Sequence, residues 1–287
     1  MSTKVITDST ADIPPQLVDE LGIRVVPIYI RFGHQIYRDG IDLSSQEFYR
    51  MLPDAPQHPS TSQPNPEDFA DVYAEEARGS DGIVSVHISS KISGTYNSAV
   101  LATRLSSDSL PIEVVDSKLN SAGLGLVAIA AARLAKTDAG FKQVVNEARR
   151  AVEQTRMFGM FETMLYLARG GRISRTIAAA SRILNVMPLL TFHDGDIVRA
   201  GLVRTVSRGI DRICDFVNKN TPVSELIIVH SAVPQRAEQL RERLGQMVAT
   251  ANINIAELGA GLGVHGGPGV LLVSLRRQDR TAEAGAC

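Results

Sequence analysis

The 287-residue chain has no tryptophan, aromatic residues make up only 5% of it, and its two cysteines are Cys214 and Cys287. Two sulfhydryls, one in a helical pattern and one at the last position, exclude a disulfide scaffold and a thiolate metal site. The scarcity of aromatic rings argues against base stacking on nucleic acid. Charge of one sign is also missing. The 30 basic and 31 acidic residues leave a net charge of −1, so no global field collects nucleic acid or an anionic membrane. The six histidines, at 34, 58, 87, 193, 230 and 265, fall singly, without zinc-ligand spacing. No apolar run reaches the roughly 18 residues of a membrane span, and Lys4 and Asp8 interrupt the first apolar residues, against a signal peptide. The expectation is a soluble protein of the reducing cytoplasm, without metal, cofactor or nucleic-acid partner and without stable membrane insertion.

Hydrophobic residues, at 44%, suffice for a substantial core, and the length favours two domains sharing a cleft. Strand and helix patterns alternate from the start: a strand at 5–7, a helix opened by Pro14-Pro15 and closed at Gly22, and a β-rich run over 23–32. Ser44 with Glu47 predicts a helix over 47–52, and Asn65-Pro66 with Asp68 another start. Further helices are predicted to about Leu105, over Ser121–Ala135 and over 141–155, with a strand at 112–115. Beyond residue 160 the style changes. The runs 187–192 and 197–204 flank Asp194-Gly195 as an antiparallel hairpin, followed by helices over 207–218 and 234–248 and strands at 226–229, 253–258 and 270–275. The predicted fold class is α/β with two domains. A mainly parallel sheet occupies the N-terminal domain, 1–160. An α/β C-terminal domain, 161–287, carries the hairpin, and its last strands are free to return to the first domain.

Three segments carry chemistry. The run from Ser89 through Ser93, Gly94 and Thr95 to Ala99 follows the apolar residues 83–88 and leads into a helical pattern. Hydroxyls are thereby placed at the carboxyl end of a buried strand, where open α/β sheets bind ligands and a helix start favours an anion. Serines in such a place also serve as helix caps, each worth about 1 kcal/mol. A second cluster, Ser60-Thr61-Ser62-Gln63, is held extended by Pro59 and Pro64 and is delivered to a helix entrance. The third is a glycine-rich loop over 259–269, where His265 is followed by Gly266 and Gly267 on a backbone that can approach a ligand closely. This loop literally contains the dinucleotide fingerprint from Gly261 to Gly266. That reading is rejected, because the fingerprint must open a helix and Gly267-Pro268-Gly269 cannot.

Thr7-Asp8-Ser9-Thr10-Ala11-Asp12, Thr61-Ser62-Gln63-Pro64, Ser89 to Ala99, Arg169-Gly170-Gly171-Arg172-Ile173-Ser174 and His265 to Gly269, in this order, resemble the DegV family of bacterial lipid-binding proteins. The resemblance implies a DegV-like fold with one long-chain fatty acid, such as hexadecanoate, in the interdomain cleft. It places the carboxylate at Thr61 and Ser93 and by position at His265, with Ser62, Gly94, Thr95, Gly266 and Gly267 as secondary head-group or loop residues. It also implies presentation of the acid to a separate ATP-dependent fatty acid kinase that makes the acyl phosphate for phospholipid metabolism. The protein itself is then a carrier rather than an enzyme. An alternative from the residues is a Ser/His acyl hydrolase in which His265 activates Ser93, although Lys91 stands where a nucleophile elbow has glycine. Arg169, Arg172 and Arg175 complement the dipole of a helix end. They alternatively form, with Arg199 and Arg204, a basic docking surface for the kinase, in which Arg172, Arg199 and Arg204 are the candidates.

Overall fold

A computed structural model describes residues 2–105, 110–171 and 186–278. Its strands, in chain order, are β1 Ser2–Asp8, β2 Arg24–Val26, β3 Tyr29–Phe32, β4 Gln35–Arg38, β5 Ser60–Ser62, β6 Ser80–His87, β7 Ile112–Asp116, β8 Thr155–Met160, β9 Met187–His193, β10 Asp196–Val203, β11 Val223–His230, β12 Ile253–Glu257 and β13 Leu271–Arg277. The helices are α1 Pro15–Leu21, α2 Ser45–Met51, α3 Pro66–Glu76, α4 Thr95–Thr103, α5 Ser121–Ala135, α6 Phe141–Gln154, α7 Leu165–Arg169, α8 Val206–Lys219, α9 Pro234–Leu244 and α10 Ala260–Gly266. No helix among the described residues is long and apolar enough to cross a membrane.

Strands β2-β1-β6-β7 form a wholly parallel sheet, and β10-β9-β8-β13-β11-β12 a mixed sheet in which only β11 and β12 run parallel. A small antiparallel sheet, β4-β3-β5, stands apart. Parallel sheets are covered on both faces, and side-chain alternation shows how. Ile6 and Ile83 pack with Phe69 and Tyr73 of α3 and Ala99 and Ala102 of α4. Their neighbours Val5, Val84 and Val86 face the other way, into a core with α5 and α6. From the second sheet Ile227, Val229 and Leu272 enter that same core, while Ile228, Leu271 and Val273 face Ile210 and Ile213 of α8 and Leu240 of α9. The layers are therefore helix, sheet, helix, sheet, helix. Every residue of α5 except Arg133 and Leu134 is buried, the condition of a helix that is apolar on all sides.

The expected boundary at 160 assigns β8 to the first unit, yet β8 pairs with β13 and β9 of the second sheet, as do all described strands after it among themselves. The β-rich run over 23–32 is not one strand. Pro27, with no N–H to donate, separates β2 in the parallel sheet from β3 in the small one. The hairpin is as expected, with Asp194 and Gly195 at φ 45° and 87°, the left-handed pair of a two-residue turn. Its tip is tied to the first sheet. Ser89 Oγ donates to Gly195 O at 2.8 Å, Lys91 pairs with Asp196 at 2.9 Å, and Lys118 pairs with Asp194 at 2.7 Å.

Candidate functional site

The carboxyl ends of β1 and β6, the start of α5, the hairpin and α10 line a cavity between the two sheets. The sheets supply its apolar walls, from Ile88 on one side and Met157, Leu190, Phe192, Ile197 and Leu272 on the other. Polar side chains enter from one set of neighbouring segments: Thr10, Thr61, Ser93, Asn120, Ser121 and His265, with Thr191 on the opposite sheet. No Arg, Lys, Asp or Glu is among the described residues lining it. Neutral donors, and an imidazole, are what such a pocket offers to a carboxylate brought out of water.

Three segments far apart in sequence converge here. Thr61 lies in β5, opposite Ile30 of β3, rather than at a helix entrance, and its Oγ1 sits 3.0 Å from His265 Nε2. Strand alternation turns Ser60 and Ser62 outward, and Ser62 is exposed and does not line the cavity. Ser93 lies in the turn before α4, where its Oγ pairs with Thr95 Oγ1 at 2.9 Å and accepts from Thr95 N at 3.3 Å. Thr95 is fully buried and supports Ser93 from behind. The Gln63 side chain rests on Gly94, within 2.5 Å of where a Cβ would stand, and so joins the two hydroxyl segments. Gly266 lines the cavity. Gly267 does not: at φ 69° it turns the chain, and its carbonyl accepts from Ser231 Oγ at 2.7 Å. Arg199 and Arg204 are exposed, on and just after β10, and Arg172 lies outside the described residues.

The 259–269 segment corrects the expectation of a loop, because residues Ala260–Gly266 are helical. Glycine weakens a helix through backbone entropy, and tertiary packing overrides that cost here. Cβ atoms on Gly261 and Gly263 would stand 2.4 Å from Ile28 Cδ1 and 2.7 Å from Phe48 Cε1, so only glycine lets α10 lie flush on the small sheet and α2. Two buried carboxylates satisfy its first N–H groups. Asp12 Oδ1 accepts from Gly259 N at 2.8 Å, and Asp39 accepts from Ala260 and Gly261. Asp12 also accepts from Ser121 Oγ at 2.5 Å, and Asp39 from Ser9 Oγ at 2.8 Å. These carboxylates carry His265 into place, and their titration is legible. Burial pushes Asp12 up to about 8 and Asp39 up to about 6, against the hydrogen bonds that favour their charged forms. A carboxyl raised in the folded state binds its proton more tightly there than in the unfolded chain. Its stabilisation is therefore complete at low pH and is lost as pH rises, for Asp12 between 3.8 and about 8. Urea unfolding should accordingly show a shallower fall in stability over this window for Asp12→Asn than for the parent, and superimposable slopes would refute the assignment.

A further network was not anticipated from sequence. Tyr73 Oη donates to Ser85 Oγ at 3.0 Å, Ser85 Oγ pairs with His87 Nε2 at 2.7 Å, and His87 Nδ1 meets Asp8 Oδ2 at 2.9 Å. This has the connectivity of a Ser-His-Asp triad, but Ser85, His87 and Asp8 are all 0% exposed and none of them lines the cavity. Residues Ser93 and His265 of the hydrolase alternative are each bonded elsewhere, to Thr95 and Thr61. The triad signal was the alternation Ser85, Val86, His87 on a strand beside Asp8, visible only once the strand order was known.

Fold and cavity together define a layered α/β protein whose cavity is walled by apolar side chains of both sheets and furnished with polar ones around Thr61 and His265. The family model described as "Uncharacterised protein, DegV family" matches residues 2–278, and the chain belongs to this family. A DegV domain-containing protein of Caldanaerobacter subterraneus subsp. tengcongensis is 34% identical over 268 residues, covering 92% of this chain and 95% of that one. Among solved structures, the chain is similar to a fatty-acid-binding DegV family protein of Thermus thermophilus, at 32% identity and TM-score 0.88, over 97% of this chain and 100% of that one. It is also similar to DegV, a fatty acid binding protein from Bacillus subtilis, at 28% identity and TM-score 0.86, with the same coverage.

Proposed function

We propose that this protein binds one long-chain fatty acid, its carboxylate at Thr61, Ser93 and His265 and its chain between the two sheets, and presents it to a separate ATP-dependent fatty acid kinase. The observation that carries the reading is the cavity itself, apolar along both sheets and furnished around Thr61 and His265 with hydroxyls and an imidazole, with no cation among the described residues lining it. Each methylene taken from water contributes about 0.8 kcal/mol, so a long chain binds tightly once its carboxylate has donors to replace its hydration. A bidentate arginine would hold the carboxylate firmly, whereas hydroxyls leave an oxygen available for phosphoryl transfer. The relatives from Thermus thermophilus and Bacillus subtilis, described as fatty-acid-binding, support the ligand class. The exposed Arg199 and Arg204 are the docking candidates that the described surface offers a kinase.

Native mass spectrometry of the protein purified from cells, followed by lipid extraction, is the direct test. A stoichiometric long-chain acid is expected. A protein that carries no lipid and takes up none on addition would end the reading. The hydrolase alternative is separated by turnover: the isolated protein should release no acid from esters or thioesters, yet support acyl phosphate formation once kinase and ATP are supplied.

A further inference from the structure

We infer that Gly170 is a positioning residue for the His265 imidazole, an inference that rests on the head-group reading above. A Cβ at Gly170 would stand 2.0 Å from His265 Nδ1, 2.9 Å from Cε1 and 3.2 Å from Cγ. No side chain fits there. The backbone does not call for glycine, since φ −74° and ψ −10° are open to every residue type. The imidazole does. Its Nε2 edge meets Thr61 Oγ1 at 3.0 Å, and its Nδ1 edge lies against the bare backbone of Gly170. The ring is thus held between β5 and the end of α7, and the hydroxyl it meets is the one facing the ligand cavity.

The same face of α7 grips α10 one step further on. Residues four apart in a helix lie on one side of it, and Tyr166, four before Gly170, lays its ring within 2.2 Å of where a Cβ on Gly267 would stand. Gly170 N donates to Tyr166 O at 2.9 Å, which fixes the spacing of the two contacts. Tyr166 therefore sets where α10 ends, and Gly170 sets where the ring on its last turn points. The arginine-flanked glycines at 170 and 171, which on sequence grounds mark a helix end or a basic surface, have this second task at their first glycine. A methyl group at 170 must displace the ring, and the displaced ring loses Thr61.

The test uses the full-length protein with Gly170→Ala and His265→Ala, singly and together. Hexadecanoate affinity should fall tenfold or more in Gly170→Ala, close to the loss in His265→Ala. In the ligand-free protein, the Nε2 resonance of His265 in imidazole 1H–15N spectra should move in Gly170→Ala as it does in Thr61→Val. In the His265→Ala background the ring is gone, so adding Gly170→Ala should change neither affinity nor Tm. Unshifted imidazole resonances with parent affinity, or the same loss of affinity or Tm from Gly170→Ala in both backgrounds, would overturn the inference. Should Gly170→Ala alone fail to fold, recovery of folding in the double variant supports the steric contact and its failure there refutes it. Failure of the fatty-acid reading would silence only the affinity arm, because the resonances and the Tm cycle need no ligand.

Discussion

Asp8→Ala should remove about 4 kcal/mol of unfolding free energy, a large part of the roughly 5–15 kcal/mol that holds a folded chain together. Asp8 is fully buried at the end of β1 and accepts from His87 Nδ1 at 2.9 Å, from Ile88 N and Thr10 N at 3.1 Å each, and from Thr10 Oγ1. Alanine leaves these donors without their acceptor in a fully buried position, and each buried donor without a partner costs about 1–3 kcal/mol. Local relaxation recovers part of the sum, which is why the expected loss stays below it. The consequence reaches the cavity, because Thr10 and Ile88 both line it and Ile88 follows directly on β6, on the path to Ser93. Urea unfolding followed by circular dichroism measures the effect, and a loss under 1 kcal/mol would show that the network does not anchor the parallel sheet.

Much of the architecture was legible because it follows from local rules. Helix α5 runs from Ser121 to Ala135 as its composition dictates, α1 ends at Gly22 in the left-handed conformation, and Asp194-Gly195 makes the hairpin turn. The elements misjudged are those decided by packing. Helix propensity argues against a helix containing Gly261, Gly263 and Gly266, yet Ile28 and Phe48 reward their lack of side chains and Asp12 and Asp39 cap the start. Similarly, Ser62 has the same hydroxyl as its neighbours, and only the register of β5 on β3 decides that Thr61 faces the cavity and Ser62 faces water. The site residues Thr61, Ser93 and His265 were named through family resemblance and the hydroxyl pattern. Their supports, Asp8, Asp12 and Asp39, were not named as supports, because a carboxylate in sequence does not reveal which backbone N–H groups it will meet. Long-range hydrogen bonds such as Gly259 N to Asp12, 247 residues apart, have no local signature at all.

The head-group site makes the second large prediction, and its geometry adds a pattern to the magnitude. Removing any one donor, in Thr61→Val, Ser93→Ala or His265→Ala, should weaken hexadecanoate binding by about 1.5–3 kcal/mol, because a hydrogen bond to a charged group is lost where the acid cannot recover its water. That is roughly tenfold to 150-fold in Kd. Thr61 Oγ1 and His265 Nε2 bond each other at 3.0 Å, so either substitution also releases the other group from its orientation. The double Thr61→Val, His265→Ala variant should therefore lose much less than the sum of its singles, with a coupling of about 1 kcal/mol or more. Ser93 is held instead by Thr95, at 2.9 Å, so Thr61→Val with Ser93→Ala should come closer to additivity. Hexadecanol supplies the control, since it has the same chain and no carboxylate: its weaker binding should respond far less to all three substitutions. Circular dichroism guards against misfolding. Folded variants that bind hexadecanoate like the parent, or that lose hexadecanol equally, would move the carboxylate away from these residues and leave Thr61 and His265 as a contact between β5 and α10.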